Sequence, residues 1–215
     1  MKTAKDLIIP FSWDKRRVEQ IDRRFLYIPD QLEHEEKRLS LFETPLPICI
    51  EFCSGNGQWI VERAKRFPNM AWIAVEKKFD RARKIWLNMN RAQIDNLMVV
   101  CSDASEFTRW YSPIASQIFI NFPDPWPKRR HEKKRLVQAQ FLRELLNIVE
   151  IKGKATCATD DLPYAKQMLE EFAKCKEWKL IFHSNEWPDY GSSFFQELWK
   201  GKGRTIHYLS FERIL

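Results

Sequence analysis

The amino-acid sequence predicts an α/β fold: a mostly parallel seven-stranded sheet with helices on both faces and an antiparallel last strand. Short apolar runs alternate with amphipathic segments from about residue 45 onward. Such alternation is typical of parallel strands joined by right-handed helical crossovers. The last two apolar runs have no helical segment between them, which predicts an antiparallel pair near the end of the sequence.

Each predicted element follows from periodicity and from the turn residues that bound it. The seven strands are short apolar runs at 48–52, 71–76, 97–101, 117–122, 154–158, 178–183 and 205–212. Helical periodicity predicts helices at 58–67, 79–93, just after Asp103, at 137–148 and at 162–175. Residues 184–204 contain Gly191, Gly201 and Gly203 and are predicted to form a long mobile loop.

The 215 residues suffice for one substantial core and are few for two domains. Residues 1–44 are charge-rich and contain Pro10 and Pro29, so we interpret them as an N-terminal extension with one helical stretch near 31–42. Residues 45–215 are predicted to form the single folded domain.

The balance of charge indicates an anionic partner. The formal net charge is +7 and the isoelectric point about 9.2, which fits RNA, DNA or a membrane surface. No apolar run reaches the roughly 18 residues of a membrane span, and the first residues lack the apolar segment of a secretory signal.

The cysteines indicate a reducing compartment. The number of cysteines is odd, and no two of them form a Cys-x-x-Cys pair. Three of them fall in predicted buried strands. We therefore interpret them as reduced residues of a cytoplasmic protein, not as a disulfide frame or a zinc site. The four histidines are scattered, so no metal site is predicted.

The most informative motif is the loop Phe122-Pro-Asp-Pro-Trp-Pro-Lys128, which follows a predicted strand. Its three prolines fix φ and remove backbone donors, so neither a strand nor a helix can continue. The loop presents Asp124 and Trp126 at the carboxyl end of that strand, where ligands bind in open α/β sheets. The basic run 129–135 follows at once and could hold phosphates, although such runs are often only solvated surface. The combination predicts chemistry on nucleic acid.

Four successive predicted strands end at or just before an acidic residue: Glu51, Glu76, Asp103 and Asp124. The turn Gly55-Asn56-Gly57 lacks both the third glycine of a dinucleotide fingerprint and the Lys-Ser/Thr of a P-loop, which disfavours NAD and ATP. Glu76 is placed to accept from ribose hydroxyls and Asp103 from an adenine amino group. The positively charged sulfonium of S-adenosylmethionine is compatible with these acidic neighbours. S-adenosylmethionine is therefore the predicted cofactor. Helix N-caps or solvated strand ends are the alternative roles for these acids.

The segment Glu51–Gly57, the acids Glu76 and Asp103, and the Phe122–Lys128 loop together resemble the bacterial tRNA (guanine-N7)-methyltransferases. Ala158-Thr159-Asp160 and residues 193–196 match in order, and the resemblance covers about residues 45–213. It implies a Rossmann-like class I methyltransferase fold. It also implies methyl transfer from S-adenosylmethionine to N7 of guanine 46 in the variable loop of tRNA.

The resemblance implies a role for each matching residue. Cofactor would be bound by Glu51, Glu76, Asp103 and Asp124, with Asp124 also at the catalytic centre. Substrate would be bound by Lys128, Asp160, Ser193, Phe194, Phe195 and Gln196. RNA contacts would come from Arg130, His131, Glu132, Lys133, Lys134 and Arg135.

The sequence departs from the family pattern at Cys53, where the first loop glycine is usual, and at Ser193 and Gln196, where Thr and Glu are usual. Two other functions stay open. A nucleic-acid amino-methyltransferase would carry an Asn/Asp-Pro-Pro-aromatic loop, whose second proline is absent here. A non-catalytic RNA-binding protein on the same scaffold would not need the strand-end acids. Trp126 either stacks on a base or covers the core, and both a monomer and a homodimer are compatible with the sequence.

Overall fold

The structure is a computed structural model of the chain. It describes residues 7, 17–32, 41–42, 46–112 and 114–215. Within these ranges one sheet of nine strands has the order β1-β2-β5-β4-β3-β6-β7-β9-β8. The strands are β1 Glu19–Asp22, β2 Phe25–Tyr27, β3 Ile48–Phe52, β4 Ala71–Glu76, β5 Leu97–Cys101, β6 Ala115–Asn121, β7 Val149–Thr159, β8 Trp178–Ser184 and β9 His207–Arg213.

Six α-helices connect these strands within the described ranges: α1 Gln58–Arg66, α2 Phe79–Arg91, α3 Ala104–Trp110, α4 Ala139–Leu145, α5 Leu162–Ala173 and α6 Phe194–Gly201. In the described part of the chain, two short 3-10 helices cover Arg129–Lys134 and Pro188–Tyr190. Among the described helices none is long and apolar enough to cross a membrane.

The sheet is mostly parallel, as the alternation of strands and helices predicts. The six strands from β2 to β7 in the sheet order form five parallel pairs, and β9 is antiparallel to both β7 and β8. All seven predicted strands are present, so the predicted fold class is confirmed. The two additional strands, β1 and β2, come from the segment expected to be an extension.

The N-terminal hairpin of β1 and β2 continues the sheet beyond β5. Phe25 pairs with Val99 of β5, is fully buried, and stacks on Phe79 with ring centroids 5.6 Å apart. This part of residues 1–44 is thus continuous with the sheet. The predicted helical stretch near 31–42 lies largely outside the described residues.

Apolar side chains pack on both faces of the sheet, where the helices cover them. One cluster includes side chains of α1 and α2, among them Trp59 and Ile85, and the other includes side chains of α3, α4 and α5, among them Phe107 and Phe141. Burial of each large side chain stabilises the fold by roughly 1.5–3 kcal/mol. These two clusters hold the strands in place. They thereby define the edge of the sheet on which the candidate site lies.

The prediction of one long loop over 184–204 is wrong, because α6 lies inside it. Ser193 caps this helix by accepting a hydrogen bond from the Gln196 backbone N–H at 3.1 Å. Gly203, with φ +73°, lies after the helix and so does not interrupt it. The glycines mark the boundaries of the helix.

Candidate active site

The parallel strands bring most of the predicted acids to one edge of the sheet. Glu76 is the last residue of β4 and Asn121 the last of β6, while Glu51 lies one residue before the end of β3. The acids that follow the carboxyl ends of β5, β6 and β7 are Asp103, Asp124 and Asp160. Because the carboxyl ends of parallel strands meet at one edge, all these polar groups face the same region.

The turn between β3 and α1 has left-handed backbone geometry at three positions: Cys53 has φ 61°, Gly55 has φ 58° and Gly57 has φ 79°. A Cβ atom on Gly57 would lie 2.7 Å from the Cγ1 of Ile85, so only glycine fits between this turn and α2. Cys53 adopts the same conformation with a side chain, at a cost of roughly 1–2 kcal/mol.

Glu76 holds this turn from the neighbouring strand. Its Oε2 accepts from the Gly55 N–H and its Oε1 from the Lys78 N–H, both at 2.8 Å. Burial raises the pKa of the Glu76 carboxyl, and the two backbone hydrogen bonds oppose that rise. Carboxylate oxygens carry further lone pairs, so Glu76 can still accept from a ligand hydroxyl.

Glu51 is a buried carboxylate with one oxygen unused. Its Oε1 accepts from the Nδ2 of Asn121 at 2.6 Å, and the Oδ1 of Asn121 accepts from the Tyr190 hydroxyl. Its Oε2 is buried and has no hydrogen-bond partner among the described residues. Burial raises the pKa of the Glu51 carboxyl to about 7. An unpartnered buried carboxylate oxygen is costly, and a cationic ligand would offset that cost.

Asn121 and Tyr190 are site residues that the sequence did not reveal as such. Asn121 gave a usable signal, because it is a polar residue that ends an apolar strand directly before the proline-rich loop. Tyr190 lies in a segment predicted to be a loop, and its burial beside Trp59 arises only from the folded chain.

A cavity of about 20 Å³ lies beside Glu51, and its lining includes Phe195 of α6. A Cβ atom on Gly55 would lie 3.3 Å from the Phe195 ring, which shows how closely this ring covers the glycine turn. A space of this size holds about one water molecule. The space beside Glu51 is therefore smaller than a nucleoside in this structure.

Asp103 has two local partners. It is the N-cap of α3, where its Oδ1 accepts from the Ser105 N–H at 2.9 Å, and its Oδ2 pairs with the Nζ of Lys77 at 3.0 Å. The N-cap role that the sequence left open is thus present at Asp103. Its role towards an adenine stays a prediction.

The proline-rich loop extends from β6 with Asp124 exposed to solvent. Phe122 and Trp126 have φ values of 47° and 43°, so the loop bends sharply on both sides of Asp124. The Trp126 ring lies edge-on to His131, with centroids 5.7 Å apart, and the Nζ of Lys134 lies 5.0 Å from its centroid. Trp126 thus packs against the basic segment, and this contact links the loop to the cationic run.

Asp160 lies beyond the end of β7 and forms an ion pair with Arg204. The Arg204 guanidinium also lies 4.2 Å from the centroid of the Trp199 ring on α6. An open pocket of about 480 Å³ surrounds the pair, and its lining includes Asn185 and His207. This volume lies in the range of small-molecule pockets.

Residues 193–196 form the start of α6, and their side chains point in different directions. Phe194 is exposed, whereas Gln196 is buried. With its amide oriented so that the nitrogen donates to the Gly191 carbonyl at 2.9 Å, the Gln196 oxygen accepts from the Nζ of Lys200 and the hydroxyl of Tyr208, both at 3.2 Å. The Gln196 amide is used inside the protein in this structure, so its contact with substrate stays a prediction.

The basic run forms a 3-10 helix after the exposed Lys128, and none of residues 129–134 is buried. Arg135 differs from them, because only 3% of its side chain is exposed. This burial sets Arg135 apart from the surface cations, and the RNA contacts expected for 130–135 stay predictions. Within the described residues no cluster of His, Cys, Asp or Glu side chains could hold a metal ion.

Comparison with known proteins gives consistent results. A family model described as "Putative methyltransferase" matches residues 45–208. The chain is 39% identical over 216 residues to the tRNA (guanine-N(7)-)-methyltransferase of Chlamydia caviae, covering 96% of each chain. It is 34% identical over 192 residues to the protein of the same name from Leptospira interrogans, covering 86% of this chain and 85% of that one.

Solved structures share the fold at low sequence identity. The 16S rRNA methyltransferase KamB has a TM-score of 0.59 at 12% identity, over 79% of this chain and 88% of that chain. The 16S rRNA (adenine(1408)-N(1))-methyltransferase of Catenulisporales acidiphilia, solved with the cosubstrate SAM, has a TM-score of 0.59 at 15% identity, over 79% and 86% of the two chains.

Proposed function

The chain belongs to the bacterial tRNA (guanine-N7)-methyltransferase family and is a methyltransferase, and from this premise we propose that it methylates N7 of guanine 46 in the variable loop of tRNA, with S-adenosylmethionine as the methyl donor. The observation that carries the proposal is the buried Oε2 of Glu51, which has no partner among the described residues and lies beside the glycine turn.

The residues at this edge fit the proposed cofactor in charge and in hydrogen-bonding capacity. Glu51 offers negative charge when its carboxyl is ionised, the form that a cationic ligand favours, in a site from which water is largely excluded. The turn at Gly55 and Gly57 brings backbone close to a ligand. Glu76 can accept from ribose hydroxyls while it holds the turn, and Asp103 can accept from an adenine amino group. S-adenosylmethionine, when bound, supplies a methyl group on a sulfonium that carries positive charge.

The guanine side requires positioning more than it requires a strong base. N7 of guanine has a free lone pair, so its methylation needs no prior deprotonation, and positive charge develops on the base during transfer. Carboxylates placed near the base stabilise that charge. We assign this role to Asp124 on the proline-rich loop and to Asp160 beside the open pocket, where they can accept from the N1–H and the 2-amino group of guanine.

The tRNA backbone would lie along the basic segment next to the loop. Lys128 is exposed and precedes a 3-10 helix whose cationic side chains are at the surface. Contacts of this kind with phosphates position RNA and make its affinity depend on salt. The contact between Trp126 and Lys134 joins this basic segment to the loop that carries Asp124.

The decisive experiment is incubation of the enzyme with labelled S-adenosylmethionine and two tRNA transcripts, followed by nucleoside analysis. One transcript carries guanine at position 46 and the matched transcript carries adenosine there. We expect 7-methylguanosine in the first and no label in the second. Equal labelling of both would contradict the position, and methylated adenosine or cytidine would indicate an amino-methyltransferase. Binding of tRNA without any transfer would indicate a non-catalytic protein.

A further inference from the structure

Arg135 ends the basic run, yet its guanidinium lies in the interior. Its Nε donates to the Pro125 carbonyl at 2.7 Å, and its Nη1 donates to the Oε1 of Gln167. The guanidinium carbon also lies 5.0 Å from the centroid of the Tyr164 ring. Gln167 and Tyr164 are three residues apart on α5 and so share one face of that helix. The side chain thus joins the loop to α5.

The hydrogen bond from Arg135 reaches the loop at Pro125, directly beside Asp124. Pro125 directly follows Asp124, and the prolines at 123, 125 and 127 cannot donate backbone hydrogen bonds. On the other side of Asp124, the Phe122 N–H donates to the Ala158 carbonyl of β7 at 2.8 Å. The backbone is therefore held just before Asp124 by the sheet and just after it by Arg135.

We propose that Arg135 is a positioning residue: its buried guanidinium fixes the loop so that Asp124 faces the reacting base, and it does not contact RNA. This inference rests on the proposed function for the role of Asp124. A planar guanidinium can donate in two fixed directions at once, and an ammonium cannot reproduce that geometry. A phosphate contact, in contrast, would require the side chain to be at the surface.

Two substitutions separate positioning from RNA contact. Arg135→Lys keeps the charge and loses the forked geometry, and we expect it to lower the single-turnover methylation rate at saturating tRNA and cofactor at least tenfold. Arg135→Met removes the charge, and we expect the dependence of tRNA affinity on salt to stay as in the wild type. Arg130→Ala removes an exposed cation and should lower the log–log salt slope by roughly 0.7–0.9.

A third measurement reports on the conformation of the loop and does not depend on methyl transfer. With 5-fluorotryptophan incorporated, the ¹⁹F resonance of Trp126 can be assigned by its loss in Trp126→Phe. We expect it to shift in Arg135→Lys and to stay in place in Arg130→Ala. Val149→Ala, a buried change at the start of β7, controls for general destabilisation and should leave both the Trp126 resonance and the methylation rate unchanged.

A wild-type rate in Arg135→Lys, an unmoved Trp126 resonance, or a reduced salt slope in Arg135→Met would each overturn the inference. If Arg135→Met does not fold, the rate and the resonance of Arg135→Lys decide alone. If the wild-type enzyme methylates no tRNA, the proposed function fails, and the Trp126 resonance still shows whether Arg135 holds the loop.

Discussion

The acids at the carboxyl edge of the sheet differ in what surrounds them, and this decides what each can do. Glu76 accepts hydrogen bonds from the backbone N–H of Gly55 in the turn and from that of Lys78 before α2, and Glu51 is held by Asn121. Asp124 is exposed. Changes at Glu51 or Glu76 should therefore affect both stability and activity, whereas a change at Asp124 should affect activity alone.

Asp124→Ala should nearly abolish methyl transfer and leave the fold unchanged. We expect the single-turnover rate to fall at least a hundredfold, about 2.7 kcal/mol of barrier, because the proposed function assigns this carboxylate to stabilise the charge that develops on the base. The urea midpoint should stay as in the wild type, since the side chain is exposed. A rate within about threefold of wild type would remove Asp124 from the catalytic centre.

Cys53 has φ 61°, which makes a specific stability comparison possible. Glycine usually stabilises a protein less than alanine does, by roughly 0.5–1 kcal/mol, because it loses more freedom on folding. At a left-handed position the strain of a Cβ outweighs this difference. We therefore expect Cys53→Gly to be more stable than Cys53→Ala by about 0.5–1 kcal/mol in urea unfolding. The reverse order would show that the turn relaxes around a side chain.

Among the elements, the 3-10 helix of the basic run is the one whose charge should govern RNA affinity. Replacement of Arg130, Lys133 and Lys134 with Ala should lower the log–log slope of tRNA affinity against salt by roughly 0.7–0.9 per lost phosphate contact. The matched control replaces Lys152, Lys154 and Lys179, which are exposed at the opposite edge of the sheet. Equal slopes for both triple variants would mean that the 3-10 helix is only solvated surface.

The stability of α6 depends on the interior contacts of Gln196. Gln196→Ala would leave the Gly191 carbonyl without this partner, so we expect the free energy of unfolding to fall by about 1–3 kcal/mol. Gln140→Ala in α4 is the matched control, because that glutamine is exposed and should change stability by less than about 0.5 kcal/mol. If the two variants unfold alike, the interior contacts of Gln196 contribute nothing measurable.

Sequence patterns predicted the elements that are long and apolar, and they failed where an element is short or defined by tertiary contacts. β1 has the sequence Glu-Gln-Ile-Asp and β2 only three residues, so neither shows a strand period. α6 was missed because nearby glycines resemble loop residues. Arg135 cannot be told from its cationic neighbours by sequence, since its burial depends on α5 and on the Pro125 carbonyl.

For the whole molecule, stability should depend on pH through Glu51. Its pKa is raised to about 7 from an ordinary value of 4.5, so the folded state binds this proton more tightly than the unfolded state does. The associated stability is fully present below about pH 4.5 and is lost as the pH rises through 7. We expect the unfolding free energy of the wild type, relative to Glu51→Gln, to fall by on the order of 3 kcal/mol between pH 4.5 and pH 8.

Urea unfolding of both proteins across this range measures the difference directly. Other titrating groups are common to both chains and largely cancel in the comparison. A difference that stays constant with pH would show that Glu51 keeps an ordinary pKa in the folded protein.

The position of β2 also determines when the hairpin of β1 and β2 can join the sheet during synthesis. Phe25 and Leu26 of β2 pair with Val99 and Val100 of β5, which the ribosome makes much later. A lone two-stranded hairpin is at best marginally stable in water. β1 and β2 therefore cannot take their place in the sheet until β5 has been made and can pair with β2. β2 is made before β3 and β4, yet it can join the sheet only after both of them have been made.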